Sequence, residues 1–174
     1  MALKVEKPDQ RSILWGVLGF PRVINEKAAR TVAAVVALAG VIALATGAHW
    51  LLVPLAYGFW ARVLAGPRLS PLAQLATKVV APRLGPPREV AGPPKRFAQG
   101  MGAAITTLGV VALALGWSAV TAVLLTALVV AATLEAALGL CIGCLIFGLL
   151  IRTGVVPETV CLECADISAR LQRV

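Results

Sequence analysis

All four cysteines of this 174-residue chain fall in two pairs of identical spacing, Cys141-Ile142-Gly143-Cys144 and Cys161-Leu162-Glu163-Cys164. Two thiols three residues apart share one face of a helix, so each pair can present both sulfurs together. Three chemistries fit. In the first, each pair is a dithiol that exchanges with disulfides or carries sulfur, and two pairs in series pass electrons or a persulfide between membrane and cytosol. Pro157-Glu158 reads as a helix start, which puts Cys161 in or just after a first turn, where a thiolate is stabilised. Cys141 reads as lying mid-span with no cap before it. No thioredoxin-like strand–helix pattern surrounds either pair.

In the second, Cys141, Cys144, Cys161 and Cys164 are four thiolate ligands. Cys-x2-Cys-x16-Cys-x2-Cys fits the structural zinc spacing, and an iron–sulfur cluster is a rarer occupant of the same set. The apolar run Leu145–Ile151 between the pairs is unlike a zinc ribbon. In the third, the cysteines are small buried hydrophobes, a weak account of two matching pairs. The only histidine, His49, lies far from them in the sequence. No phosphate loop, zincin motif or dinucleotide fingerprint is present.

The rest of the chain says where this chemistry takes place. It is 59% hydrophobic and 14% charged, against about 25% charged in an average soluble domain. We expect an all-α polytopic membrane protein of four transmembrane helices arranged as two hairpins. The apolar spans run from about Ala33 to Ala48, Trp50 to Leu64, Met101 to Leu115 and Ser118 to Ile151. These divide one membrane domain, 1–174, into an interfacial N-terminus (1–30), hairpin one (31–65), a cytoplasmic loop (66–100), hairpin two (101–151) and a cytoplasmic tail (152–174). Gly47-Ala48-His49 and Gly116-Trp117-Ser118 make the short links.

All sixteen Lys and Arg precede the first span, lie at the end of the second or between it and the third, or follow the fourth. The two links contain none. Positive segments stay inside, so both termini and the central loop are expected on the cytoplasmic side of a bacterial inner membrane. The net charge of +8 then points to anionic lipid headgroups rather than nucleic acid. No cleavable signal peptide is expected, because the polar region before the first span is far longer than a normal n-region.

Residues 12–20 read as a short interfacial segment anchored by Trp15 and Phe20. Asn25 is a candidate cap for the first helix. Ser70-Pro71 opens a short amphipathic helix with Leu72, Leu75, Ala76, Val79 and Val80 at helical spacing, expected to lie on the inner leaflet. Pro82, Pro86, Pro87, Pro93 and Pro94 are read as suppressing regular structure after it. The last span is 34 residues long, about 50 Å as one helix against a hydrocarbon core of about 30 Å. It therefore projects or bends, with Gly139, Gly143 and Gly148 available for bends. Gly139 and Gly143 also form a small-xxx-small pattern, read as packing within the chain. Glu135 is an intramembrane carboxylate, expected to pair with Arg62 near the inner interface; proton handling is its alternative role.

Several stretches together resemble a known family. They are Pro21-Arg22-Val23-Ile24-Asn25-Glu26, Gly66-Pro67-Arg68-Leu69-Ser70-Pro71-Leu72, Pro93-Pro94-Lys95-Arg96-Phe97-Ala98-Gln99-Gly100, Leu134-Glu135 before the first cysteine pair, and Pro157–Cys164. The sequence is similar to the bacterial membrane family termed domain of unknown function 4395. The resemblance implies a four-helix inner-membrane protein beside thioredoxin-like or sulfur-transfer proteins. It supplies no catalytic residues.

Overall fold

The computed structural model describes residues 23–156. Cys161, Cys164, the proposed tail helix and the 12–20 segment lie outside them. The fold is helical apart from one short ladder. Strand β1 (Val23–Asn25) leads into helix α1 (Glu26–Thr46), and strand β2 (Glu89–Ala91) leads into helix α4 (Gly92–Ala114). The strands pair antiparallel, Ile24 opposite Val90. Between them lie helix α2 (Leu52–Ala65) and the helical segment α3, made of Pro71–Leu75, a wider π turn over Ala76–Val80, and Ala81–Arg83. Helices α5 (Ser118–Leu138) and α6 (Ile142–Arg152) are the last elements among the described residues.

Local signals set many of these boundaries. Asn25 Oδ1 accepts from the Lys27 N–H at 3.0 Å, the expected cap. Ser70 caps α3 through the Ala73 N–H, with Pro71 in the first turn. Three helices, α1, α4 and α5, are long and apolar enough to cross a membrane. The fourth expected span is shorter: α2 has 14 residues, about 21 Å, preceded by a single turn over His49–Leu51.

The run from Ser118 to Ile151 bends, one of its two expected outcomes, while the expectations for the third span and the proline segment before it are corrected. The helix of that run ends at Gly139, whose φ of 68° is a left-handed conformation open to glycine at little cost, and it restarts at Ile142. The third span begins before Met101: α4 starts at Gly92, because prolines are compatible with a first turn, whose N–H groups lack helical partners anyway. Pro93 and Pro94 thus open a helix instead of extending a linker. Residues 89–91 form a strand. Packing partners are only partly sequence neighbours. Helix α1 packs chiefly on α5, α2 on α4, and α4 on α5 and α6, giving the spatial order α1–α5–α4–α2.

Small residues permit these crossings. A Cβ on Gly40 would come within 2.4 Å of Val129, and one on Gly102 within 2.2 Å of the Phe59 ring. The core they surround includes Val36, Leu52, Phe59, Leu125 and Leu128. Outside it, Leu38, Trp60, Leu108, Val123 and Val130 are exposed, as suits a surface facing lipid.

Because β1 pairs with β2, α1 and α4 start at the same end of the bundle. Arg30 of α1 donates to the carbonyls of Ala136 (3.1 Å) and Ala137 (2.8 Å), which places the end of α5 there too. The two cysteines of the first pair follow directly. The link at the opposite end of α4 and α5 carries exposed Trp117, and the link between α1 and α2 carries exposed Trp50. In α3, Ala73, Ala76 and Ala81 turn inward, while Leu75 and Val79 are exposed. The expected single apolar stripe is therefore split between protein and surroundings.

Candidate functional site

The break after α5 creates the site. Gly139 ends α5, and Cys141 becomes the N-terminal cap of α6. Its sulfur accepts from the Cys144 backbone N–H at 3.3 Å, satisfying one of the donors that a helix start leaves without an internal partner. The reading of Cys141 as an uncapped mid-span residue is therefore overturned. Cys141 and Cys144 are both buried free thiols.

The two thiols also hydrogen-bond to each other, and this splits their acidities. The bond from Cys144 lowers the Cys141 pKa first; burial opposes this, and the nearby Lys95 ammonium reinforces it. The same bond raises Cys144, and burial raises it further. The arrangement is one thiolate-prone sulfur solvated by its neighbour's S–H and N–H groups.

Glu135 sits one turn before the end of α5. Its ion-pair partner is Lys95, not Arg62: Lys95 Nζ lies 2.5 Å from Glu135 Oε1, with both side chains largely buried. Hydropathy began the third span only at Met101, after Lys95, so the sequence reading missed it; the signal was the Pro93-Pro94 helix start that sets Lys95 on the first turn. Arg62 is buried, donates Nε to Gln99 Oε1 at 2.7 Å and Nη1 to Ser70 Oγ at 3.5 Å, and covers the Phe59 ring at 4.6 Å. Arg62 and Glu135 nonetheless border one cavity of about 90 Å³, together with Gln99 and Cys141.

Packing fixes the start of α6. A Cβ on Gly143 would lie 2.6 Å from the Cα and Cβ of Ala98, so glycine there lets the dithiol turn touch the α4 backbone. Phe147 stacks obliquely on Phe97 with centroids 5.6 Å apart. Gly139 and Gly143 thus serve contacts within the chain: Gly143 meets Ala98, and Gly139 lies against Glu26 and Arg30.

Among the described residues, no group of three or more His, Cys, Asp or Glu side chains gathers as a metal site. The four-thiolate reading needs Cys161 and Cys164, which lie outside them. His49 begins the turn before α2, remote in the fold from the cysteines.

Three helices long and apolar enough to cross a membrane are compatible with a membrane protein, and two buried free cysteines lie at one end of them. The family described as domain of unknown function, DUF4395, matches residues 24–152, and the chain belongs to it. The matched span holds Arg62, Lys95, Glu135, Cys141 and Cys144, and ends before the second cysteine pair. No curated protein and no solved structure matches the chain.

Proposed function

We propose that this protein exchanges thiol and disulfide equivalents at the cytoplasmic face of a bacterial inner membrane, with Cys141 attacking and Cys144 resolving. The observation that carries this reading is Cys141 at a helix N-terminus with the Cys144 N–H on its sulfur at 3.3 Å. That geometry favours the thiolate, the form that attacks a disulfide.

In the forward step, Cys141 thiolate attacks one sulfur of a partner disulfide. A mixed disulfide forms, and the other partner sulfur leaves as a thiolate. Cys144 then loses its proton to solvent and attacks Cys141 Sγ. The Cys141–Cys144 disulfide forms, and the second partner thiolate departs. The partner gains two electrons and its thiolates take up two protons, matching the two thiols consumed. Cys161 and Cys164 fit the role of the next dithiol in line, and a thioredoxin-like or sulfur-transfer protein fits that of the cytosolic partner.

The topology in this proposal has four crossings. Helices α1 and α4 start at one end and α5 finishes there, so α2 must return the chain between α1 and α4. With the turn at His49–Leu51 it has about 26 Å of helical rise, close to the hydrocarbon thickness. The basic residues support placing the dithiol end inside: Arg68, Lys78 and Arg83 are exposed at that end beside exposed Leu69, Leu75, Val79 and Leu84. Such a surface suits anionic headgroups over an apolar interface. A four-thiolate zinc scaffold is the competing account; it requires the tail to fold back onto the buried Cys141–Cys144 turn.

The test is a trapping experiment on the full chain in nanodiscs with oxidised glutathione. Cys144→Ala is expected to accumulate a stable glutathione adduct at Cys141, while the parent resolves it to an internal disulfide. Equal, slow reaction at all four cysteines, with no resolved disulfide, overturns the reading.

A further inference from the structure

We propose that the cavity beside Cys141 seats the head ring of a bilayer-soluble quinone, which accepts the electrons of the Cys141–Cys144 dithiol. This rests on the redox reading above and names its membrane-side substrate.

The cavity lies between α1, α2, α4 and α5 and holds about 90 Å³. A water requires about 10–15 Å³ of such volume, so the space takes several heavy atoms, the scale of a single six-membered ring. Its walls differ. Val36, Ile105 and Leu128 line one part, and Arg62, Glu135 and Cys141 another. An occupant must therefore be apolar over most of its body and carry hydrogen-bond acceptors at one end. To react with a dithiol it must also take up two electrons. A protein disulfide is far too large for this space, whereas a quinone has the shape, the acceptors and the electron capacity, and it reaches the site through the bilayer.

Arg62 supplies the recognition. It is 6% exposed, yet Gln99 and Ser70 engage only Nε and Nη1. A guanidinium has five N–H donors, so others remain for a ring carbonyl in the cavity. Of the two sulfurs, Cys141 is the one that borders the space.

The chemistry balances without another reagent. Cys141 thiolate adds to a ring carbon, forming a C–S bond as one carbonyl becomes an enolate oxygen. Cys144, deprotonated, attacks Cys141 Sγ; the S–S bond forms and the C–S bond breaks. The electron pair stays on the ring, and the two thiol protons end on its two oxygens. One dithiol is oxidised to a disulfide, and one quinone is reduced to hydroquinone.

The experiment uses the full chain carrying Cys161→Ser and Cys164→Ser, reduced, in anaerobic nanodiscs. Decylubiquinone and oxidised glutathione serve as separate oxidants. Reduction of one quinone per chain is expected, with a Cys141–Cys144 disulfide found by mass. Leu128→Trp, which fills the cavity, is expected to slow the quinone reaction by about tenfold or more while sparing the glutathione reaction. If glutathione oxidises the dithiol and the quinone does not, the quinone site is overturned and the redox reading stands. If neither oxidises it, both fall. If Leu128→Trp loses both reactions, an azidoquinone photolabel on the parent decides. Label on residues 98–105 or 128–135 supports the site; label confined to the outer faces of the helices overturns it.

Discussion

Lys95 Nζ and Glu135 Oε1 lie 2.5 Å apart, tying the first turn of α4 to the last turn of α5. The pair stands immediately before the break that creates the dithiol turn. Removing one member of a buried ion pair strands the other and costs about 3–5 kcal/mol. Lys95→Met is therefore expected to destabilise the fold by roughly 3 kcal/mol. Adding Glu135→Leu to it is expected to recover most of that loss, because no charge is then left buried. A double-mutant cycle by denaturant unfolding in mild detergent checks both values; additive losses would contradict a direct pair.

The acidity split between the thiols gives a pH signature. Cys141 lies below the ordinary thiol range because Cys144 hydrogen-bonds to it. Iodoacetamide is thus expected to modify Cys141 at pH values below the usual thiol midpoint of about 8.5, with Cys144 reacting only at higher pH. Cys144→Ala removes an interaction that stabilises the thiolate, so the onset at Cys141 should move upward. Site-resolved alkylation by mass spectrometry follows both. An unchanged Cys141 profile in Cys144→Ala would remove the proposed cause.

Contact between α6 and α4 leaves no room for a methyl at residue 143. Gly143→Ala puts a Cβ 2.6 Å from the Ala98 Cα and Cβ, and overpacking of this kind costs about 1–3 kcal/mol. We expect lowered thermal stability and loss of the Cys141 reactivity advantage. Combining it with Ala98→Gly relieves one of the two clashing atoms and should restore part of each. Thermal melts and the alkylation profile report the two effects separately.

Orientation is testable without function. A membrane-impermeant maleimide applied to intact cells is expected to leave all four cysteines unlabelled, whereas inverted vesicles expose the tail pair, Cys161 and Cys164, to it. Labelling from the outside would reverse the proposed topology and set the chemistry in an oxidising space.

Much of the helical plan was legible in the residues. Asn25 and Ser70-Pro71 are caps whose side chains and ring geometry act locally, so they read correctly without tertiary information. The break at Gly139 was only half visible. Leu138-Gly139-Leu140-Cys141 stays apolar, so hydropathy carries no sign of the αL turn, and glycine was one of three candidate bends. Lys95 was hidden for the opposite reason: charges and two prolines look like a loop, although both are compatible with the first turn of a buried helix. The pairing of α1 with α5 rests on contacts such as Gly40 with Val129, which no local pattern encodes. The cavity arises from four helices at once and was not legible at all.

The central claim is that Cys141 and Cys144 form a reversible dithiol. Its most direct measurement is equilibration of the full chain in nanodiscs across a series of reduced and oxidised glutathione ratios, with thiols counted and located by mass and bound metal measured in the same samples. The account predicts a reversible two-electron transition between two free thiols and an internal Cys141–Cys144 disulfide, in metal-free protein. Thiols at both positions that stay reduced across the whole series, or one zinc per chain held by all four cysteines, would contradict it.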